Sequence, residues 1–208
     1  MSKEEFEIRI YNFNERKVKK IIKDNGGELI NKKRVMPVIV YTHPNKKKDI
    51  YIRIRDEGQQ ITLTVKTKLK SKYPIEREVE INSVEEGEAI LKLLGFKEKY
   101  RIEKIRETYN LKGCKEIVFD SMPGLPNWME IDCHSESSLK KIAKKLGFTL
   151  EDHSTHGVSD RYVELYGITK NRKLGDLTFK TAKKVLSPYI KKNKKEFNKI
   201  LNKQLKVK

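Results

Sequence analysis

Residues Glu5-Phe6-Glu7-Ile8-Arg9 decide how this chain is read. In a β-strand alternate side chains share a face, so Glu5, Glu7 and Arg9 project together. Phe6, Ile8 and Ile10 then occupy the opposite face, where a hydrophobic core can take them. Two neighbouring carboxylates can hold a hard divalent cation, and an adjacent guanidinium can hold a phosphate. A half-buried strand with a charged outer face reads the same way, so the test is whether other strands repeat the pattern.

They do. Arg53 and Arg55 alternate with Ile52 and Ile54. Thr62, Thr64 and Lys66 oppose Ile61, Leu63 and Val65. Glu76, Glu78 and Glu80 share a face, as do Lys104 and Arg106. Asp120 ends a strand, and Glu130 and Asp132 flank Ile131. Two architectures explain such two-faced strands. One is an open antiparallel sheet, solvated on its charged side. The other is a closed barrel with helices outside and charge lining the lumen. Cations come from 50–55, 61–66 and 104–106, and carboxylates from 5–9, 76–80 and 130–132. That segregation favours a lumen suited to a polyanion with a divalent metal.

Between these strands the 3.6-residue period predicts helices over 15–25, from Ser83 to Gly95, and over 137–146. Asn14 and Ser83 are expected caps, and Ala89, Ile90, Leu93 and Leu94 the apolar stripe of the second helix. Val35–Thr42 reads as a strand broken by Pro37. Many strands with a few inserted helices make an α+β domain, not a parallel α/β fold.

Composition narrows the classes. The chain has 208 residues and a formal net charge of +18. From Lys170 onward there are 14 Lys/Arg and 2 acidic residues, a net of +12, which leaves +6 for the other 169. No apolar run approaches the ~20 residues of a membrane span. The charged N-terminus does not read as a secretory signal, and two cysteines, Cys114 and Cys133, are too few for a disulfide framework. A soluble protein in the reduced cytoplasm is the expectation.

In order along the chain, these motifs resemble the CYTH superfamily, the triphosphate tunnel metalloenzymes. Glu5-x-Glu7-x-Arg9 is similar to its Glu-x-Glu-x-Lys signature, with Arg9 in place of the usual Lys. The paired Arg53 and Arg55, Lys66, the acidic Glu76–Glu80 strand and Lys104-Ile105-Arg106 follow. Asp120, Gly124-Leu125 and Glu130-Ile131-Asp132 resemble its late block, with Asp132 for Glu and Asn127 where Gly is common. Tyr162-Val163-Glu164-Leu165 is similar to the close of its cyclase-like branch.

The resemblance implies an eight-stranded antiparallel tunnel over residues 1–166, with a lysine-rich helical extension over 167–208. It implies a triphosphate substrate such as ATP and Mg²⁺ or Mn²⁺. Arg9, Arg53, Arg55, Lys66, Lys104 and Arg106 would bind phosphates, and Glu5, Glu7, Glu130 and Asp132 the metal. Asp120, Lys66 and Arg106 would carry catalysis. Reactions of class IV adenylyl cyclases or of triphosphatases are both implied, RNA 5′-triphosphate hydrolysis included. A non-catalytic polyphosphate or nucleic-acid binder is the competing reading. The basic tail could bind RNA or pack an apolar stripe of Phe197, Ile200, Leu201 and Leu205 on the domain. A helix over 178–186, then one begun by Ser187-Pro188, is expected there. A homodimer is left open.

Overall fold

A computed structural model describes residues 6–45, 50–67, 75–154, 157–169 and 175–207. Eight strands form one sheet: β1 (Phe6–Ile10), β2 (Leu29–Thr42), β3 (Ile50–Asp56), β4 (Ile61–Thr67), β5 (Ile75–Ile81), β6 (Lys97–Tyr109), β7 (Cys114–Ser121) and β8 (Trp128–Cys133). Their hydrogen-bonded order is β1-β8-β7-β6-β2-β3-β4-β5. The α+β class expected from the alternation and the eight antiparallel strands implied by the resemblance are therefore present. Two compact units divide the chain: Met36–Lys104 with Gly175–Thr178, and Phe6–Val35 with Ile105–Leu174 and Phe179–Lys208.

In the second unit, register sorts the side chains. Arg9 pairs with Glu130 and Glu7 with Asp132 across β1 and β8, and Asp120 pairs with Arg106 across β7 and β6. One face of these strands is thus charged. The other carries Ile8, Ile10, Ile117, Phe119, Met129 and Ile131, all buried. Two helices, α1 (Glu15–Asp24) and α3 (Glu136–Leu146), cover that apolar face with Val18, Ile22, Leu139, Ile142 and Leu146. Asn14 caps α1 by accepting from the Lys17 N–H at 3.0 Å. Gly147 ends α3 at φ +88°, a left-handed backbone that glycine adopts without a Cβ penalty.

The first unit repeats the arrangement. Ile39, Tyr41, Ile52, Ile54 and Leu91 form its buried cluster. Helix α2 (Val84–Leu93) lies on it, its N-terminus capped by Ser83, which accepts from Glu86 N–H at 3.1 Å. Its contact face differs from the expected stripe. Gly87 and Leu91 point inward, while Ile90, Leu93 and Leu94 are exposed. The reason is steric: a Cβ on Gly87 would collide with Ile81 and Ile54, so the missing side chain is what lets the helix sit down on that side.

Other expectations are revised. Strand β2 begins at Leu29, six residues before the expected Val35, because polar Asn31–Arg34 hides its periodicity. Its entry is tied by Glu28 and Asn110, whose backbone and side chain exchange bonds of 3.0 and 2.7 Å. Cys114 and Cys133 form a disulfide, contrary to the reduced pair expected. Nineteen residues apart in sequence, they are directly opposed across β7 and β8.

In the tail, only Ala182–Leu186 (α5) is α-helical where 178–186 was expected. Ser187 does not cap a new helix; its hydroxyl donates back to the Lys184 carbonyl, and α6 starts later, at Lys194, running to Gln204. Phe197 and Leu201 of the expected stripe are fully buried, whereas Leu205 is exposed. Helix α4 (Val158–Tyr166) completes the second unit, which also contains α5 and α6.

Candidate functional site

Glu130 organises the charged face of the second unit. Its Oε1 accepts from Arg9 Nε at 2.8 Å and from Trp128 Nε1 at 2.9 Å, with an Arg9 terminal nitrogen at 2.6 Å. Its Oε2 accepts from Arg106 at 3.2 Å. Arg106 also grips Asp120 with two parallel bonds of 2.8 Å, one to each carboxylate oxygen, and reaches Glu116 at 3.3 Å. Such a fork on a buried carboxylate sets orientation as well as charge. Burial opposes the charge on Arg106, but Asp120 and then Glu116 outweigh it, so its pKa is raised further and the guanidinium stays charged. Arg9 is raised likewise: burial works against it, and Glu130 followed by Glu7 prevails.

Glu7 lies 3.5 Å from Arg9, and Asp132, its cross-strand partner, accepts from Lys115 at 2.8 Å. Beyond β1, His153 Nδ1 accepts from the Arg9 N–H at 2.9 Å, and the Ser154 N–H donates to the Arg9 carbonyl at 2.8 Å. This pair of bonds holds the strand that carries both Glu7 and Arg9. Desolvation, then the charge of Arg9, lowers the His153 pKa and favours the neutral ring that can accept.

The charged face of the first unit is built from β3, β4 and β5. Thr64 is the hinge of its network, accepting from Arg53 Nε at 3.2 Å and donating to Glu78 at 2.7 Å. Arg55 is buried beside Glu57 and lies 3.5 Å from Glu78. Lys66 pairs with Glu76 at 3.0 Å. Lys104 is half-buried on β6.

Six of the eleven expected residues thus share the face of the second unit: Glu7, Arg9, Arg106, Asp120, Glu130 and Asp132. Arg53, Arg55 and Lys66 gather on the face of the first. Glu5 lies outside the described residues. A hard divalent cation is the metal expected on this face. The donor chemistry fits, because Glu7 and Asp132 are opposed carboxylates on one face, and hard oxygens suit Mg²⁺ or Mn²⁺. Among the described residues, however, no three potential ligands are drawn into one cage, and Glu130 is already enclosed by donors.

Four contributors had no role in the sequence reading of the site. Trp128 stands two residues before Glu130 and so shares its face; the alternation could have found it. Thr64 was placed on the right face without a role. Tyr162 was read only as part of a terminal motif, and Tyr166 was given no role. Both are buried, and their hydroxyls donate to the carbonyls of Pro123 and Gly124 at 2.8 and 2.5 Å. They brace the turn that links Asp120 to Trp128 rather than joining a charged face.

Known proteins share this fold. The CYTH domain matches residues 5–160, and the chain belongs to that family. A structure of a protein from Pyrococcus horikoshii is 30% identical, covering 69% of this chain and 90% of that one, with a TM-score of 0.54. A protein from Vibrio parahaemolyticus, named as a candidate adenylate cyclase, is 13% identical over 77% of this chain and 98% of that one, with a TM-score of 0.66. One from Hippeastrum, named as a candidate adenylyl cyclase with a dominant triphosphatase activity, is 15% identical over 77% and 95%, at 0.50. At such identities the last two speak to the fold alone. No curated protein matches the sequence. Enzymes of the CYTH family are adenylyl cyclase-like or triphosphatases, and this chain is an enzyme of that type.

Proposed function

We propose that the protein is a divalent-metal-dependent enzyme acting on a triphosphate such as ATP. The observation that carries this reading is the Arg106 network. A buried guanidinium fixed by Asp120 and Glu130 is a preplaced cation with no reorganisation left to do. Such preorganised charge is what phosphoryl chemistry needs, since negative charge on the equatorial oxygens is what must be stabilised.

Arg9 and Arg106 on one charged face, and Arg53, Arg55, Lys66 and Lys104 on the other, are the proposed phosphate-binding residues. Asp120 is spent on Arg106 and acts as a positioning residue; it is not placed to take a proton. Mg²⁺ or Mn²⁺ would be held by Glu7 and Asp132, with Glu5 and Glu130 as further donors. When bound, the metal would neutralise phosphate charge. Arg9 supplies two donors where the usual Lys supplies a point charge, and both are directed at Glu130.

Cyclisation to cyclic AMP with release of pyrophosphate is the first reading, on the late Asp120 to Asp132 block and the Tyr162–Leu165 segment. In it the substrate's 3′-hydroxyl oxygen attacks the α-phosphorus as the bond to pyrophosphate breaks, and the hydroxyl proton passes to water. Hydrolysis is the second reading, and one observation favours it: Tyr162 and Tyr166 serve the turn, so the segment that suggested the cyclase branch has a structural use. In either case RNA on the basic tail is a lesser proposal.

The test is to incubate the protein with ATP and Mg²⁺ or Mn²⁺ and separate the products, with Glu7→Gln as control. Cyclic AMP with pyrophosphate supports cyclisation, and ADP or AMP without cyclic product supports hydrolysis. Binding of ATP with no turnover of it, tripolyphosphate, thiamine triphosphate or triphosphate-ended RNA would leave a binder and sink the enzyme.

A further inference from the structure

Thr62 and Thr64 stand two residues apart on β4 and so share its charged face. Their cross-strand neighbours are matched. Thr64 lies between Arg53 of β3 and Glu78 of β5, and Thr62 between Arg55 and Glu80. Their hydroxyls behave differently. Thr64 accepts from Arg53 Nε at 3.2 Å and donates to Glu78 at 2.7 Å, so both of its functions are used. Thr62 is only 2% exposed, and its hydroxyl oxygen is buried with no hydrogen-bond partner among the described residues. Its neighbours are engaged elsewhere or face water: Arg55 pairs with Glu57 and lies 3.5 Å from Glu78, and Glu80 is exposed. A buried hydroxyl without a partner costs stability, and folded chains retain few of them. Valine has nearly the same shape, is equally at home in a strand and would carry no such cost.

We propose that Thr62 is a further phosphate-binding residue, its hydroxyl donating to a phosphoryl oxygen that Arg55 binds at the same time. This rests on the triphosphate reading of the charged face and adds to it a residue without charge. The buried guanidinium of Arg55, directly across from Thr62, selects an anion. The hydroxyl gives that anion a directional donor beside the charge. Arg55 is held by carboxylates while the hydroxyl is closed off. A phosphate that competes for Arg55 loosens those pairs, and the same movement brings the Thr62 hydroxyl its partner. Thr62 therefore lowers the stability of the fold and raises its affinity, the opposition expected of a binding residue. Thr64, satisfied on both sides, supports the fold instead.

Titration calorimetry of the full chain with tripolyphosphate and Mg²⁺, beside thermal unfolding, tests this. Thr62→Val should unfold at a higher temperature than wild type and bind tripolyphosphate about tenfold more weakly, the worth of one hydrogen bond to a charged group. Thr62→Ser keeps the hydroxyl and should bind nearly as tightly as wild type. Thr64→Val is the contrast: it leaves Arg53 and Glu78 each short of a partner and should unfold at a lower temperature. A purely structural threonine would not gain stability and lose affinity together. Thr62→Val binding as tight as wild type overturns the proposal and leaves the triphosphate reading standing. A Thr62→Val protein less stable than wild type also overturns it, because the hydroxyl then has a partner within the fold, a trapped water included. A wild type that binds neither tripolyphosphate nor ATP removes the triphosphate reading, and this residue's role with it.

Discussion

Gln204 side-chain Oε1 accepts from the Gly124 N–H at 2.9 Å, across 80 residues of sequence. The same amide donates to the carbonyls of Met122 and Leu125, both at 2.9 Å. One side chain of α6 therefore satisfies three backbone groups of the turn between Asp120 and Trp128. Phe197 of the same helix covers Gly124, which sits at φ +78° and has no room for a Cβ beneath the ring.

Replacing Gln204 with Leu strands the buried Gly124 N–H and the Leu125 carbonyl, while the Met122 carbonyl keeps the Leu125 N–H at 2.9 Å; each group left unpaired costs about 1–3 kcal/mol. Partial relaxation toward water should bring the total to about 3 kcal/mol. Urea unfolding should show the loss as a lower midpoint at an unchanged slope. Gly124→Ala should cost about as much, because strain and overpacking act together. A Gln204→Leu protein as stable as wild type would show that the turn holds without α6.

Asp120→Asn keeps the shape at Arg106 but removes the charge that faces the guanidinium. Breaking a buried pair from one side costs about 3–5 kcal/mol. The variant should fold less stably and lose nearly all turnover, since Arg106 is no longer held in place. Asp120→Glu is the informative companion: it restores the charge with a longer arm, so stability should recover more than kcat. Equal recovery of both would argue against a positioning role.

Lys66 and Glu7 should separate kinetically. If Lys66 binds phosphate in ground and transition states alike, as proposed, Lys66→Met should raise KM about tenfold with kcat little changed. Glu7→Gln should instead shift the metal concentration needed for half-maximal rate. If the two variants give the same pattern, the division between phosphate and metal residues is wrong.

His153 accepts from the Arg9 N–H, and its pKa is lowered. Above the unfolded value of about 6.5 both states are neutral and the contribution is complete. As pH falls from about 6.5 through the lowered folded value, the unfolded chain takes up its proton first, and the contribution is progressively lost. A ring titration by NMR should therefore give a pKa below 6.5. A value above 6.5 would mean that the Arg9 N–H bond does not survive in solution.

Alternation along the strands was enough to place most of the charged residues. The period of two separates Glu7 and Arg9 from Ile8 with no knowledge of neighbours, and the same holds for Arg53, Arg55 and the Thr62–Lys66 strand. Caps at Asn14 and Ser83 were equally legible, because their bonds reach only three residues. Periodicity misled on α2. Ile90, Leu93 and Leu94 make the better stripe, yet the absence of a side chain at Gly87 chose the opposite face. It also missed the start of β2, whose polar residues show no alternation.

The sequence by itself determined which side chains share a strand face, where the helices capped by Asn14 and Ser83 begin, and that two sets of cations and carboxylates exist. These follow from local geometry repeated every two or four residues. Only the tertiary structure decided who holds whom: Arg106 on Asp120, Glu130 within reach of two arginines and an indole, Cys114 on Cys133, and Gln204 on a turn 80 residues away. Such partners depend on strand register and helix docking, which are set by burial summed over the chain and leave no trace in any one segment.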